Sequence, residues 1–204
     1  MQSILLLTLI IYSLADDVYF YKDGGLEQGF GIVNPNQIGI SCVQKNGNGW
    51  IGVNMLDGQY FALTSNNTLS TQVSGKNDYY KTLKFTTRYD LDDLDDIPLN
   101  IKIFNEDFNT LFNYGDINAI NGYTVKIKHN NDREISIKLD NFNLDNKIAT
   151  IIFTRGASSS DKTTQLLFKD IRLDTNDDQT DTYENGAFSF LSTFFVGILL
   201  LSLF

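Results

Sequence analysis

Leu83-Lys84-Phe85-Thr86-Thr87-Arg88-Tyr89 is the stretch that decides the fold. In an extended chain, successive side chains point to opposite faces. Leu83, Phe85, Thr87 and Tyr89 then share one face, and Lys84, Thr86 and Arg88 share the other. That is a half-buried strand. The same period of two recurs outward in both directions. Ile51, Val53 and Met55 alternate with Gly52 and Asn54, and Leu99, Ile101 and Ile103 alternate after them. Val125 and Ile127 alternate with Thr124, Lys126 and Lys128, and Ile135, Ile137 and Leu139 with Ser136 and Lys138. Further extended runs are expected at Val18–Tyr21, Ile38–Val43, Tyr60–Leu63 and Leu166–Leu173. Ile148–Phe153 is nearly all apolar, which suits a central strand covered on both faces. Turn signals separate these runs. They include Asn34-Pro35-Asn36, Asn46-Gly47-Asn48-Gly49, and Asp57-Gly58, which reads as a hairpin. No long segment has a 3.6-residue period; Phe104–Tyr114 is expected to hold a short helix. Eight to ten short strands with polar loops imply an all-β fold, an antiparallel β-sandwich or jelly roll.

Charge is placed unevenly around this domain. The chain has 204 residues, 16 Lys+Arg and 25 Asp+Glu, for a net charge of −9. Residues 1–15 and 185–204 contain none of these charges. Residues 1–15 read as a signal peptide: Ile4–Tyr12 is apolar but too short to span a bilayer, and Ser13 and Ala15 are small residues before the expected cut. Residues 16–173 form the expected ectodomain, and the acid-rich residues 174–185 a stalk. Residues 186–204 read as a hydrophobic glycosylphosphatidylinositol (GPI) attachment signal, with Asn185 as the attachment site, or as a single membrane span. An attachment point nearer Asn176 or Asp178 would leave a longer polar spacer. The expected location is the cell surface, held to the outer leaflet through the lipid. The acid excess argues against nucleic acid as a partner. A single Cys rules out an internal disulfide framework, and a single His, His129, leaves little for histidine chemistry. Cys42 alternates with Ile40 and reads as a buried, inert thiol. Asn66-Asn67-Thr68 is the one glycosylation sequon, placing Asn66 on an expected surface loop within Tyr60–Val73.

Sugar recognition needs a flat aromatic face for the C–H side of a pyranose and polar side chains for its hydroxyls. Trp50, Tyr60, Tyr79 and Tyr80 are the candidates for such a platform, and each could equally serve the core. No Gly-x-Ser-x-Gly, phosphate loop or His-Glu-x-x-His motif is present, and no carboxylate pair stands in a catalytic pattern. An enzyme is therefore not expected. Asp90–Asp96 packs five carboxylates into seven residues, either a solvated loop or a calcium loop.

The order of these strands resembles carbohydrate-binding-module-like jelly rolls of the galactose-binding-domain-like type, from about Val18 to Leu173. The resemblance is carried by Val18-Tyr-Phe-Tyr-Lys-Asp-Gly-Gly-Leu26, Gly49-Trp-Ile-Gly52, Tyr80-Lys-Thr-Leu-Lys-Phe85, Tyr123–Lys128, Ile135–Leu139, Ile148–Phe153 and Phe168-Lys-Asp-Ile-Arg-Leu173. It implies a non-catalytic surface protein that binds an extracellular carbohydrate. It also implies a structural calcium near Asp170 with Asp17 or Asp23, though Asp170 could instead turn the chain or bridge to Arg172. Otherwise no cofactor is expected. A cell–cell or cell–matrix adhesion protein, binding a protein partner, is the alternative. A surface hydrolase is a third.

Overall fold

The computed structural model describes residues 17–27, 29–45, 47–70, 80–89, 96–114, 122–128, 131–142, 144, 147–158 and 162–177. Its strands are β1 (Val18–Lys22), β2 (Gly25–Leu26), β3 (Gly31–Val33), β4 (Gly39–Lys45), β5 (Asn48–Met55), β6 (Tyr60–Ser70), β7 (Thr82–Tyr89) and β8 (Ile97–Phe104). After helix α1 (Phe108–Tyr114) come β9 (Tyr123–Ile127), β10 (Arg133–Lys138), β11 (Lys147–Arg155) and β12 (Thr164–Asp174). The expected strands are all present, and the expected helix is confined to the second half of Phe104–Tyr114, because Phe104 belongs to β8.

The strands form two antiparallel sheets, as a β-sandwich requires. The first sheet runs β10-β7-β12-β1-β2, with β5 also paired to β12 and β4 to β5. The second runs β3-β6-β11-β8-β9. β12 pairs β5 through Thr164–Phe168 and β1 through Ile171–Leu173. Between these two stretches its register slips, and Asp170 takes a left-handed φ of 52° there. A bulge bends the strand locally, which lets one long strand serve two neighbours.

The period-two pattern explains the core. Phe85 of β7, Phe168 of β12, Phe61 of β6 and Phe153 of β11 meet between the sheets. Phe153 stacks on Phe61 at 5.1 Å and meets Phe168 at 5.2 Å and Phe85 edge-on at 5.4 Å. β11 is the central strand its composition predicts. Its outward residue Ile152 is apolar because it packs with Ala62, Phe104, Phe108 and Leu111 in a second cluster, where α1 covers the outside of the sheet.

Four expectations need correcting. Asp57-Gly58 does turn the chain, with Gly58 at φ 77°, but it does not close a hairpin, since β5 and β6 lie in different sheets. The turn is claimed instead by β11: Gly58 N–H donates to the Arg155 carbonyl, and Arg155 N–H to that of Gln59. Asn66 falls inside strand β6, not in a loop. There two steps of β11 (Ile148 to Thr150) face five steps of β6 (Leu69 to Thr64), so the sequon sits on a bulge. Cys42 is exposed: among the described strands β4 ends its sheet. Asp174, expected to begin the stalk, is the buried last residue of β12 and pairs with Lys84 at 3.0 Å.

No helix among the described residues is long and apolar enough to cross a membrane. The expected signal peptide, the attachment signal with Asn185, and Tyr79, His129 and Asp90–Asp95 lie outside the described residues.

Candidate functional site: a polar row on the outer face of the second sheet

The outer face of the second sheet changes character along its strands. At one end, Asp107 caps α1. Its carboxylate accepts from the backbone N–H of Asn109 (3.0 Å) and Thr110 (3.1 Å) and from the Thr110 hydroxyl (2.7 Å). The Thr64 and Thr150 hydroxyls, 2.9 Å apart, hold the preceding loop. Thr150 donates to the Glu106 carbonyl at 2.7 Å, and Thr64 accepts from Phe108 N–H at 3.0 Å.

The cap predicts a pH response. The Thr110 hydroxyl, then the backbone N–H groups, hold the Asp107 carboxyl below its ordinary range. A carboxylate depressed in the fold contributes stability that is present above the unfolded value, about pH 4, and lost as pH falls through the lower folded value. Acidification below pH ~4 is therefore expected to loosen α1 from the sheet, raising hydrogen exchange at Leu111 before the core amides. Asp107→Asn keeps the accepting oxygen without the titration, so its exchange at Leu111 should be flat over the same range. An unchanged acid response in that variant would remove Asp107 as the cause.

Beside the helix, strand register lines up four residues in one row. Tyr60 of β6 faces Thr154 of β11, Thr154 faces Asn100 of β8, and Asn100 faces Thr124 of β9. Their neighbours Phe61, Phe153, Ile101, Val125 and Tyr123 point into the core, so the four share the outer face. Tyr60 and Thr154 are half-exposed, while Asn100 and Thr124 are almost covered, at 9% and 8% exposure. The Asn100 amide donates to the Thr124 hydroxyl at 3.1 Å. Its side chain lies so close over Gly122 that a Cβ at residue 122 would collide with the amide. Tyr60 is fixed by its backbone N–H, which donates to the Asn36 side chain at 3.0 Å, and by its ring, which sits 6.3 Å from Phe108. Burial raises the pKa of its phenol, keeping it a neutral hydroxyl donor. Half-buried Lys102, two residues along on β8, has its pKa lowered by burial. The row offers an aromatic ring at one end, an amide in the middle and hydroxyls between, with an ammonium beside it.

The outer face of the first sheet is built differently. Its cations are engaged: Arg172 pairs with Glu134 (2.8 Å) and Asp17 (3.2 Å), and Arg88 with Asp132 (2.8 Å). Lys169 stands 4.4 Å over the ring of Trp50, and Lys22 4.3 Å over that of Tyr19. Trp50 therefore points away from the inter-sheet core and is yet only 1% exposed. Tyr80 is buried in the core at 8% exposure. Of the three described aromatic candidates, Tyr60 alone has a partly open ring on the polar row; Trp50, Tyr60 and Tyr80 are not brought together.

The calcium candidates lie along β1 and β12, where Tyr21 faces Ile171. Asp17 is held by Arg172, Asp23 sits in the β1–β2 turn at φ 51°, and Asp170 lies at the β12 bulge. Arg172 reaches the Asp170 backbone carbonyl, not its carboxylate, at 3.4 Å. Among the described residues no three His, Cys, Asp or Glu side chains converge on one point.

Asn100, Thr124, Thr154 and Lys102 were not singled out from the sequence. Their signal was present as the polar half of each alternating strand, but which strands lie side by side is not written in any one of them.

No family model matches the chain, and no curated protein does. Solved structures share its fold. An exo-beta-agarase aligns over 79% of this chain with 11% identity and a TM-score of 0.51. The chain spans only about a quarter of that enzyme's length (25%). A family 29 carbohydrate-binding module aligns over 82% of this chain and 99% of its own, with 15% identity and a TM-score of 0.49. A carbohydrate-binding module specific for non-crystalline cellulose covers 78% and 94%, with 14% identity and a TM-score of 0.49. Likeness at this level concerns the fold: an antiparallel jelly-roll β-sandwich, as the strand order in the sequence implies.

Proposed function

We propose that this chain is a non-catalytic recognition module that binds an extracellular carbohydrate along the Tyr60–Thr154–Asn100–Thr124 row. The observation that carries this reading is the row itself, a single cross-strand line joining an aromatic ring to an amide and two hydroxyls. A pyranose presents the complementary pattern: an apolar C–H face for the ring, and vicinal hydroxyls that both donate and accept. The row carries no carboxylate, whereas glycoside hydrolysis needs two across the bond. The fold alone does not carry the function. The signal-like and anchor-like ends support a cell-surface location through a GPI anchor. Release of the chain from cells by a phosphatidylinositol-specific phospholipase is the test of that anchor, and persistent attachment would favour a membrane span.

Binding is tested by presenting the detergent-solubilised chain to an array of polysaccharides. Tyr60→Ala and Asn100→Ala are each expected to weaken binding about tenfold or more, the cost of losing a ring face or a shared amide hydrogen bond. Gly122→Ala should act in the same direction by displacing the Asn100 amide. No binding to any glycan, with binding to cells retained, would replace this reading with the adhesion alternative.

A further inference from the structure

A second surface lies at the edge of the first sheet. β4 pairs β5 in unbroken register from Gly39↔Asn54 to Lys45↔Asn48, and no described strand lies on its other side. Among the described residues, the outer edge of β4 therefore has no strand partner.

The other described edges are blunted in the ways that prevent further pairing. β2 has two residues and β3 three. β10 carries Arg133, Glu134 and Lys138. β9 carries exposed Lys126, whose carbonyl is capped by Arg133 at 2.8 Å. β4 has no proline and no bulge, and its one charge, Lys45, is its last residue.

Cys42 is the midpoint of this strand, with three residues on either side, and it is exposed. Its thiol interacts with the hydroxyl of Tyr21. Tyr21 is 3% exposed, and no nitrogen or oxygen among the described residues hydrogen-bonds its hydroxyl. Burial first, then Cys42 and Asp170, push its pKa well up, so it stays a neutral O–H able to donate toward that sulfur.

We propose that β4 is the seat of a two-fold dimer of this chain, joining the first sheets of two copies across paired β4 strands and sealed by a Cys42–Cys42 disulfide. A two-fold axis through Cys42 sets Cys42 opposite Cys42, Ser41 opposite Val43, Ile40 opposite Gln44 and Gly39 opposite Lys45. The two Lys45 side chains then lie at opposite ends, so no like charges meet. Directly opposed residues of antiparallel strands have Cα atoms about 4.5–5.5 Å apart, inside the roughly 4.4–6.8 Å that a disulfide spans. A seven-residue edge is a small contact by itself. The covalent bond makes it lasting.

The bond forms by exchange with an oxidised dithiol such as oxidised glutathione. One Cys42 thiolate attacks it, releasing one glutathione thiolate and leaving a mixed disulfide. The second Cys42 thiolate displaces the other glutathione. Two thiols and one glutathione disulfide thus become one Cys42–Cys42 bond and two reduced glutathiones. Pairing at this edge uses no residue of the Tyr60 row.

The test is a non-reducing gel of the full chain from a secretory host, alkylated at lysis and then equilibrated with glutathione redox buffers. A band at twice the chain mass is expected, lost on reduction and absent in Cys42→Ser. Random thiol collision is separated from strand pairing by charge. Ser41→Lys with Val43→Lys sets like charges opposite one another across the two-fold and should cut the dimer fraction several-fold. Ser41→Lys with Val43→Glu sets opposite charges there and should restore it. Both pairs alter the same exposed or half-exposed positions, so a folding defect in the first would not be repaired by the second. A chain that stays monomeric, forms only glutathione adducts, or dimerises equally with either charge pair overturns the proposal.

Discussion

Phe153→Ala is expected to cost about 3–5 kcal/mol of folding stability. Phe153 is fully buried and contacts Phe61 from its own sheet and Phe85 and Phe168 from the facing one. Removing it takes apolar surface out of the core and leaves a cavity lined by three rings that cannot all collapse inward. The loss should show as a lower urea midpoint with an unchanged slope, followed by the fluorescence of Trp50, the single tryptophan. Phe153→Leu, which refills most of the volume, should recover the larger part. A loss below about 1 kcal/mol for the alanine variant would mean that the sheets are not closed on this cluster.

Arg155→Ala is expected to be comparably damaging, about 3–5 kcal/mol. Arg155 ends β11 with its guanidinium fully buried. It donates to the Met55 and Lys162 carbonyls, to the Ser158 hydroxyl at 2.8 Å, and pairs with Asp57 at 3.1 Å. Burial works against its charge, and Asp57 restores part of it. Truncation strands two carbonyls and the Asp57 carboxylate, and it unties the β5–β6 turn from the segment after β11. Arg155→Lys should recover less than half, because one ammonium cannot reproduce the planar fork. Asp57→Ala should cost less than Arg155→Ala, since Asp57 is partly solvated and water can replace some of its bonds. Equal losses for the two would show that the ion pair, and not the buried carbonyls, dominates.

Arg155 also shows where local reading stops. Asp57-Gly58 has the residues of a tight hairpin turn, and the turn forms, but its flanking strands go to opposite sheets. A dipeptide can specify a reversal of the chain. It cannot specify which edge the outgoing strand meets, because that depends on hydrogen-bond partners nearly 100 residues away in Arg155. Trp50 is a second instance. The sequence leaves it between core and ligand platform; Lys169 on β12 lies across its ring and it is almost wholly covered. Cys42 is the reverse: it alternates with Ile40 as a core residue would, but among the described strands its own is the last in its sheet.

The sequence by itself determined the class of fold, the extents of most strands and which residues of each face inward. These follow from a period of two that every strand carries within its own few residues. The tertiary structure alone decided the order of strands in the sheets, and with it everything that depends on neighbours. It aligned Tyr60, Thr154, Asn100 and Thr124 into one row, and among the described strands it put β4 at the edge of its sheet. The reason is physical: alternation is a property of one strand, whereas a site on a sheet is a property of several, set by which long-range pairings bury the most apolar surface together.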